Sequence, residues 1–462
     1  MELDCVIRGG LLATASGSYE ADVGIAGEAI AAIGDDLPRA AREIDARGLV
    51  VAPGAVDVHT HLDQPFAASG NTTADDFESG TRAAAAGGIT TVVNFAFQDP
   101  GDNLRVTTER HLERAAGRAH IDYGAHLTVN HANVPGVLDE IAALADEGFA
   151  SVKTFTVTDD YGLRDSELVH VLRRCGELGI LVNVHAEDDA MVDVLTAELL
   201  ARGQSGVEHL PASRPPEAEA VATARVAGYA RALGCAVYFV HLSSRAALEA
   251  VARARADGAE VYVETRPTYL FLDESRYALP DNEGAKYVCM PPLRALENQP
   301  AIWEGLRSGA IQTYATDHSP WLLAEKMQPG IPFTEIPAGI ANLQSAVGML
   351  YAEGVGKGRI SLERFVAVTS KNPAKLFGLW PRKGALTVGA DADLMLIDPT
   401  RRFTLTAAAM ESRADYDPYE GFACMGWPTM TISRGEVVYE DGAIVSQPGR
   451  GRFLQRGRYQ PI

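Results

Sequence analysis

The sequence predicts an α/β protein: a (β/α)8 barrel with a small β domain assembled from both chain ends. Two observations predict it. From about Pro53 to Lys383, eight short apolar β-type runs alternate with Ala- and Leu-rich stretches at helical spacing. On either side of that middle the texture changes to brief strands and tight turns. Buried parallel strands should be continuously apolar, because helices cover both faces. No GxGxxG follows the first run, which disfavours an open doubly wound sheet.

At the N-terminus the expected strands are Cys5–Arg8, Leu11–Thr14, Asp22–Ile25, Ala29–Ile33 after a turn at Gly27-Glu28, and Leu49–Ala52. The barrel strands are Ala55–Val58, Thr90–Phe95, Ile121–Val129, Ser151–Phe155, Leu181–Val184, Val237–Val240, Val261–Thr265 and Gln312–Ala315. Between most of them lie helical stretches: Phe77–Ala86, His111–His120, Gly136–Glu147, Asp165–Leu178, Glu217–Leu233 and Arg245–Asp257. Strand texture returns at Asp393–Ile397, Arg402–Thr406, Thr431–Ser433 and Val437–Glu440, with turns at Arg434-Gly435 and Asp441-Gly442. Residues 1–52 and 384–445 therefore read as one composite β domain around a barrel of residues 53–383. Residues 446–462 carry Arg450, Arg452, Arg456 and Arg458. They read as an exposed tail, or as an arm docking on a neighbouring subunit.

The chain has 462 residues, 47% hydrophobic and 22% charged, an ordinary globular composition. A net charge of −20 argues against a nucleic-acid surface. No apolar run approaches the roughly 20 residues of a membrane span. The chain begins with Glu2 and Asp4 rather than a basic region and apolar core, so no secretory signal is expected. Five scattered cysteines without a CxxC pair argue against a disulfide framework or a thiolate zinc site and fit a reducing cytoplasm.

Chemistry-bearing residues fall at the strand ends. The first barrel strand runs into His59-Thr60-His61, the fifth into His185, the sixth into His241 and the eighth into Thr316-Asp317-His318. In a barrel those C-terminal ends open on one face, so the groups converge. In an extended chain residues i and i+2 point the same way, so His59 and His61 can meet one metal. His111, His120, His126, His131, His170 and His209 are read as surface or hydrogen-bonded histidines. Imidazole and carboxylate suit zinc, and also manganese, iron or cobalt. The set divides between two ions: His59, His61 and Asp317 for the more buried, His185 and His241 for the other. The second ion then needs a bridging anion. Lys153 lies inside the fourth strand, where an ammonium is costly and its pKa should fall. A neutral amine there can take up carbon dioxide as a carbamate and supply that anion.

Longer segments carry a resemblance. They are 54–66 (GAVDVHTHLDQPF), 76–91 (DFESGTRAAAAGGITT), 183–187 (NVHAE), 214–217 (RPPE), 240–244 (VHLSS), 291–294 (PPLR), 316–320 (TDHSP), 372–375 (NPAK) and 426–428 (GWP). Taken in this order, they make the chain similar to the cyclic-amide branch of the amidohydrolase superfamily, the dihydropyrimidinases and hydantoinases. The resemblance spans nearly the whole chain. It implies a barrel with a small β-sandwich, and two divalent metals bridged by a carboxylated lysine and a hydroxide. It also implies dimers or tetramers in the cytoplasm. The implied ligands are His59, His61, Lys153, His185, His241 and Asp317, with Asp317 also the catalytic proton carrier. All six are present, which argues against the family's metal-free binding or scaffold relatives.

The departures concern substrate recognition. A family tyrosine five residues after the lysine falls on Thr158, with Tyr161 nearby as a substitute. A family serine before Pro-Pro-Leu-Arg falls on Met290. A family asparagine falls on Ala338, with Asn342 four residues on. The stretch 338–345 is more similar to allantoinases. The implied reaction is hydrolysis of a cyclic amide C–N bond by a metal-bridging hydroxide. It opens a dihydropyrimidine or 5-substituted hydantoin to an N-carbamoyl amino acid; an allantoinase or other ureide hydrolase is the alternative. Thr158, Tyr161 or His318 could support the oxyanion. Phe66, Phe97, Phe155 and Tyr161 lie at the expected mouth, as core packing or as a wall for an apolar substituent.

Overall fold

The structure is a computed structural model that describes residues 2–66, 71–157 and 161–462. Eight parallel strands follow one another around a barrel: β1 (Ala55–Thr60), β2 (Ile89–Phe97), β3 (Asp122–Thr128), β4 (Ser151–Phe155), β5 (Leu181–His185), β6 (Val237–Phe239), β7 (Val261–Thr265) and β8 (Thr313–Tyr314). Each pairs with its sequence neighbour. An isolated parallel bridge, Thr60 to His318, joins the last strand's loop to the first. The His61 N–H donates to the His318 carbonyl at 2.9 Å and draws the same edges together. Gly54 sets the entry to β1: a Cβ there would sit 2.2 Å from Thr90 Oγ1. Every described residue of β1, β2 and β3 is buried, as continuously apolar strands require.

Strands from both chain ends form one mixed sheet outside the barrel. Its halves meet where Leu394–Thr404 pairs antiparallel with Val50–Pro53. Ile7, Val23, Ile25, Val51, Leu394, Leu396 and Ile432 make its own apolar core.

Three local expectations shift. Cys5–Arg8 and Leu11–Thr14 are one strand, Cys5–Thr14, with its register irregular between Ile7 and Gly10. Gly9 carries a φ of 61° there, a bulge that reads as a break in sequence. Asp393–Ile397 and Arg402–Thr406 are likewise one irregular strand, Leu394–Thr404. The helix expected at His111–His120 is Leu104–Ala115. Asn103 starts it early, its side chain accepting the Val106 N–H at 2.9 Å, and Gly117 lies beyond its end with a φ of 72°.

Residues near the C-terminus do not hang free. Tyr123 N–H donates to Arg452 O at 3.0 Å, and Leu454 N–H donates to Tyr123 O at 2.7 Å. Leu454 and Arg456 are buried against the barrel's N-terminal end. Between more exposed neighbours, Leu454 and Arg456 turn inward, and β3 offers backbone partners. No helix among the described residues is long and apolar enough to cross a membrane.

Candidate metal centre

The C-terminal ends of the strands surround a cavity of about 160 Å³. His59, His61, Lys153, His185, His241 and Asp317 all line it, so the six expected ligand positions converge. Sharp turns place two of them: His241 has a φ of 40° and Asp317 a φ of 51°, in the left-handed region that non-glycine residues seldom occupy.

Nε2 of His59 and Nε2 of His61 each lie 3.0 Å from Asp317 Oδ1. These three buried residues bring their donor atoms within 4.8 Å of one another. Their other nitrogens are held: His59 Nδ1 is 2.7 Å from Glu264 Oε1, and His61 Nδ1 is 2.5 Å from Gln64 Oε1. Those acceptors favour a proton on Nδ1 and leave Nε2 facing inward as a ligand lone pair. Across the cavity His185 Nδ1 lies 2.9 Å from His241 Nε2. His185 Nε2 is 2.8 Å from Glu187, which also accepts from Arg214 at 2.7 Å. His241 Nδ1 is buried with no hydrogen-bond partner among the described residues.

The electrostatics fit a cation. Burial disfavours a charged His59, but the Glu264 and Asp317 carboxylates outweigh it and lift its pKa to about 9. Burial would also raise Asp317, yet the charges of His59 and Arg266 keep it well below the ordinary aspartate range. Burial depresses His61, His185 and His241 toward the neutral form that binds metal.

Lys153 is 1% exposed. Its Nζ lies 4.6 Å from the centre of the Phe155 ring and 5.2 Å from that of Phe95. Burial pushes its pKa down to about 7 against the pull of Asp317 and Glu264. Burial there disfavours the ammonium form. The buried His59, His61 and Asp317 donors and their orienting partners fit a metal site.

The substrate-facing expectations divide. Tyr161, Met290 and Ala338 line the cavity, as do Phe97 and Phe155. Thr158 lies outside the described residues, as does the side chain of Phe66. His318 and Asn342 are committed elsewhere. His318 Nε2 is 2.8 Å from Asp75, and its Nδ1 accepts from the Asn342 and Leu343 backbones at 3.0 and 3.2 Å. The Asn342 amide donates to Thr316 O at 3.0 Å and accepts from Tyr419 at 2.6 Å. These two residues hold the loop after β8 and are absent from the cavity wall.

Sequence reasoning missed Glu264, which is fully buried. It accepts from the His241 backbone at 2.9 Å and from Tyr238 at 2.8 Å, besides orienting His59. Its signal was a carboxylate inside the apolar run of β7. Arg266, Gln64, Arg214 and Ser319 also line the cavity unforeseen. Arg266 donates to Asp317 Oδ2, to Tyr269 at 2.6 Å and to Pro291 O at 3.2 Å. Gly339 closes the wall with a φ of 140°, where a Cβ would sit 2.2 Å from Ser319 O.

Comparison with known proteins agrees with this geometry. The model of the amidohydrolase family matches residues 50–438. The chain is 41% identical to a D-hydantoinase of Geobacillus stearothermophilus over 458 residues, 98% of this chain and 97% of that one. It is 41% identical to a D-phenylhydantoinase of Escherichia coli over 463 residues, 99% of each. The crystal structure of a dihydropyrimidinase from Brevibacillus agri superposes with a TM-score of 0.96 at 41% identity, covering 99% of both chains. A converging ring of strand-end ligands and full-length similarity lead to one assignment: the chain belongs to the amidohydrolase family, in its hydantoinase and dihydropyrimidinase branch.

Proposed function

We propose that this protein is a two-metal cyclic amidase that opens a 5-substituted hydantoin or a dihydropyrimidine to an N-carbamoyl amino acid. The observation that carries the reading is the convergence of His59, His61 and Asp317 on one point, with His185, His241 and bare Lys153 across the same cavity. His59, His61 and Asp317 would hold one ion, and His185 and His241 the other. Zinc suits the set best, and manganese, iron or cobalt are also compatible. Lys153 would bridge them after its lone pair attacks carbon dioxide, forming an N–C bond and releasing a proton to solvent. When bound, such ions supply a water acidic enough to ionise near neutral pH and a Lewis acid for a carbonyl.

The chain's own residues do the rest. Asp317 accepts the proton of the attacking water and delivers it to the ring nitrogen as the carbonyl C–O bond forms and the C–N bond breaks. Arg266, anchored by Tyr269 and the Pro291 carbonyl, holds the second oxygen of Asp317 and fixes its aim. Phe97, Phe155 and Tyr161 form an aromatic trio with ring centres 5.6 to 6.1 Å apart. The trio excludes water and offers an apolar face to a ring substituent. This wall, and the D-phenylhydantoinase relative, favour an apolar or aromatic C5 substituent over the polar ureido group of allantoin.

The test is a panel of dihydrouracil, hydantoin, phenylhydantoin and allantoin, with metal-loaded protein and ring opening followed by absorbance. Turnover of the first three with allantoin inert is the expected result; turnover of allantoin alone would overturn the substrate reading. Asp317→Asn should lower turnover on the best substrate by at least about a thousandfold, since proton transfer and ligation are lost together. Wild-type rates would remove Asp317 as proton carrier.

A further inference from the structure

We propose that Arg294 is a positioning residue that holds His185 and His241 in register as the ligand pair for the second ion. The inference rests on the two-metal reading above and names what keeps that half of the centre assembled.

The strands alone do not set the spacing of these two rings. The ladder between β5 and β6 ends at Val184 and Phe239, short of both histidines. His241 then leaves the extended conformation with its φ of 40°. Yet Nδ1 of His185 and Nε2 of His241 stand 2.9 Å apart. In each case the chain is gripped two residues further on. Glu187 follows His185, meets Nε2 of that ring at 2.8 Å and accepts from Arg214 at 2.7 Å. Ser243 follows His241 and gives both its N–H and its hydroxyl to Glu219, each at 2.8 Å. Ser244 adds its hydroxyl to the same carboxylate at 2.7 Å.

Arg294 joins the two grips. Its Nε donates to Ser243 Oγ at 2.8 Å, and its Nη1 donates to the Arg214 carbonyl. Its Nη2 lies 3.8 Å from Glu219. Its own segment is tied down, because the Arg294 carbonyl accepts the Glu274 N–H at 3.0 Å. Glu187, Glu219, Ser243 and Arg294 are all buried, so water does not compete for these bonds. A guanidinium presents its donors in a rigid plane, and here it spaces the two loops as well as binding each. Four of the segments that carry the family resemblance, 183–187, 214–217, 240–244 and 291–294, thereby meet in one network. The other half of the centre is held differently: Glu264 orients His59 and Gln64 orients His61. A change at Arg294 should therefore act on one ion.

The test strips zinc from the metal-loaded full-length protein with graded chelator. Anomalous scattering from crystals equilibrated in the same way reads the zinc left at each position. Arg294→Lys keeps the charge and loses the planar fork. Zinc affinity at His185 and His241 should fall about tenfold, within the range for residues that orient metal ligands, with the His59, His61 and Asp317 position unchanged within about threefold. Glu219→Gln, a milder change behind Ser243, should weaken the same position about fivefold, and it decides the question if Arg294→Lys does not fold. Equal losses at both positions would mean that Arg294 supports the fold in general. Unchanged affinities would mean that the two grips are independent. Either result overturns the proposal. Wild-type protein that holds a single zinc would strike the two-metal reading itself, and the proposal with it.

Discussion

Glu264 shows how a residue outside the cavity controls it. One carboxylate meets the Nδ1 of His59, the backbone N–H of His241 and the hydroxyl of Tyr238. It therefore orients His59 on one side of the site and His241 on the other, and keeps the inward nitrogen of His59 unprotonated when a cation is bound. Glu264→Gln preserves the shape but removes the charge and lets the amide present N–H to His59. Metal affinity should fall about 10–100-fold, with the far-ultraviolet spectrum unchanged. Competition with a chelator measures it, and wild-type affinity would show that Glu264 is only filling space. The residues at strand tips were legible in sequence because the barrel aims every tip at one face. Glu264, Gln64 and Glu187 were not, because each is defined by the imidazole it touches, and β7 shows only a glutamate among apolar neighbours. Arg266 was hidden for the same reason: its partners Asp317, Tyr269 and Pro291 come from separate segments.

At the scale of elements, the C-terminal strap shows where pattern reading stops. The barrel strands were legible because two covered faces impose an unbroken apolar run, and β4 and β7 fall where the run predicts. The strap has no such run. Its order comes from backbone partners on β3 and from Gly378, whose φ of 68° and missing Cβ let Gly457 approach and donate to its carbonyl at 2.9 Å. Arg456 reaches Ser151 Oγ at 2.9 Å and the Ala125 carbonyl, and burial pushes its pKa down to about 9. Leu454, 1% exposed, is the apolar anchor. Leu454→Ala should destabilise the fold by about 2–5 kcal/mol, the range for a buried leucine truncated in place. Thermal unfolding should show it while metal content and KM stay at wild type, because the strap lies at the barrel end opposite the cavity. An unchanged melting temperature would make the strap a loose tail after all.

The whole molecule is held together by a buried ionic joint between barrel and terminal sheet. Lys383 Nζ lies 2.7 Å from Asp122 on β3 and 2.7 Å from Asp393 at the start of the second terminal segment. Arg434 adds contacts to Asp122 at 3.0 Å and to Glu28 at 2.7 Å, so both chain ends meet the barrel through one network. Burial would lower Lys383, but Asp393 and Asp122 outweigh it and raise it above the ordinary lysine value. Burial would raise Asp122, but Lys383 outweighs it and holds it below the ordinary range. Asp393 stays raised, because there burial outweighs Lys383. A raised lysine contributes stability that is full below its unfolded value, about 10.4, and is lost as pH climbs through the folded value. A depressed aspartate contributes stability that is full above about 3.9 and is lost as pH falls through the lower folded value. Between those limits the contributions of Lys383 and Asp122 are constant, while Asp393 ionises only above its raised value. Lys383→Met keeps the stem and deletes the charge, leaving Asp122 with Arg434 and Asp393 without a cation. The cost near pH 7 should be about 3–5 kcal/mol, as for a buried pair broken on one side. Denaturant unfolding across pH should find that gap flat from about pH 6 to 9. It should narrow toward pH 4, where the abandoned carboxylates take up protons and their burial ceases to oppose folding. A gap that widened on acidification would mean that Lys383 acts through packing, and that the carboxylates are not what its ammonium offsets.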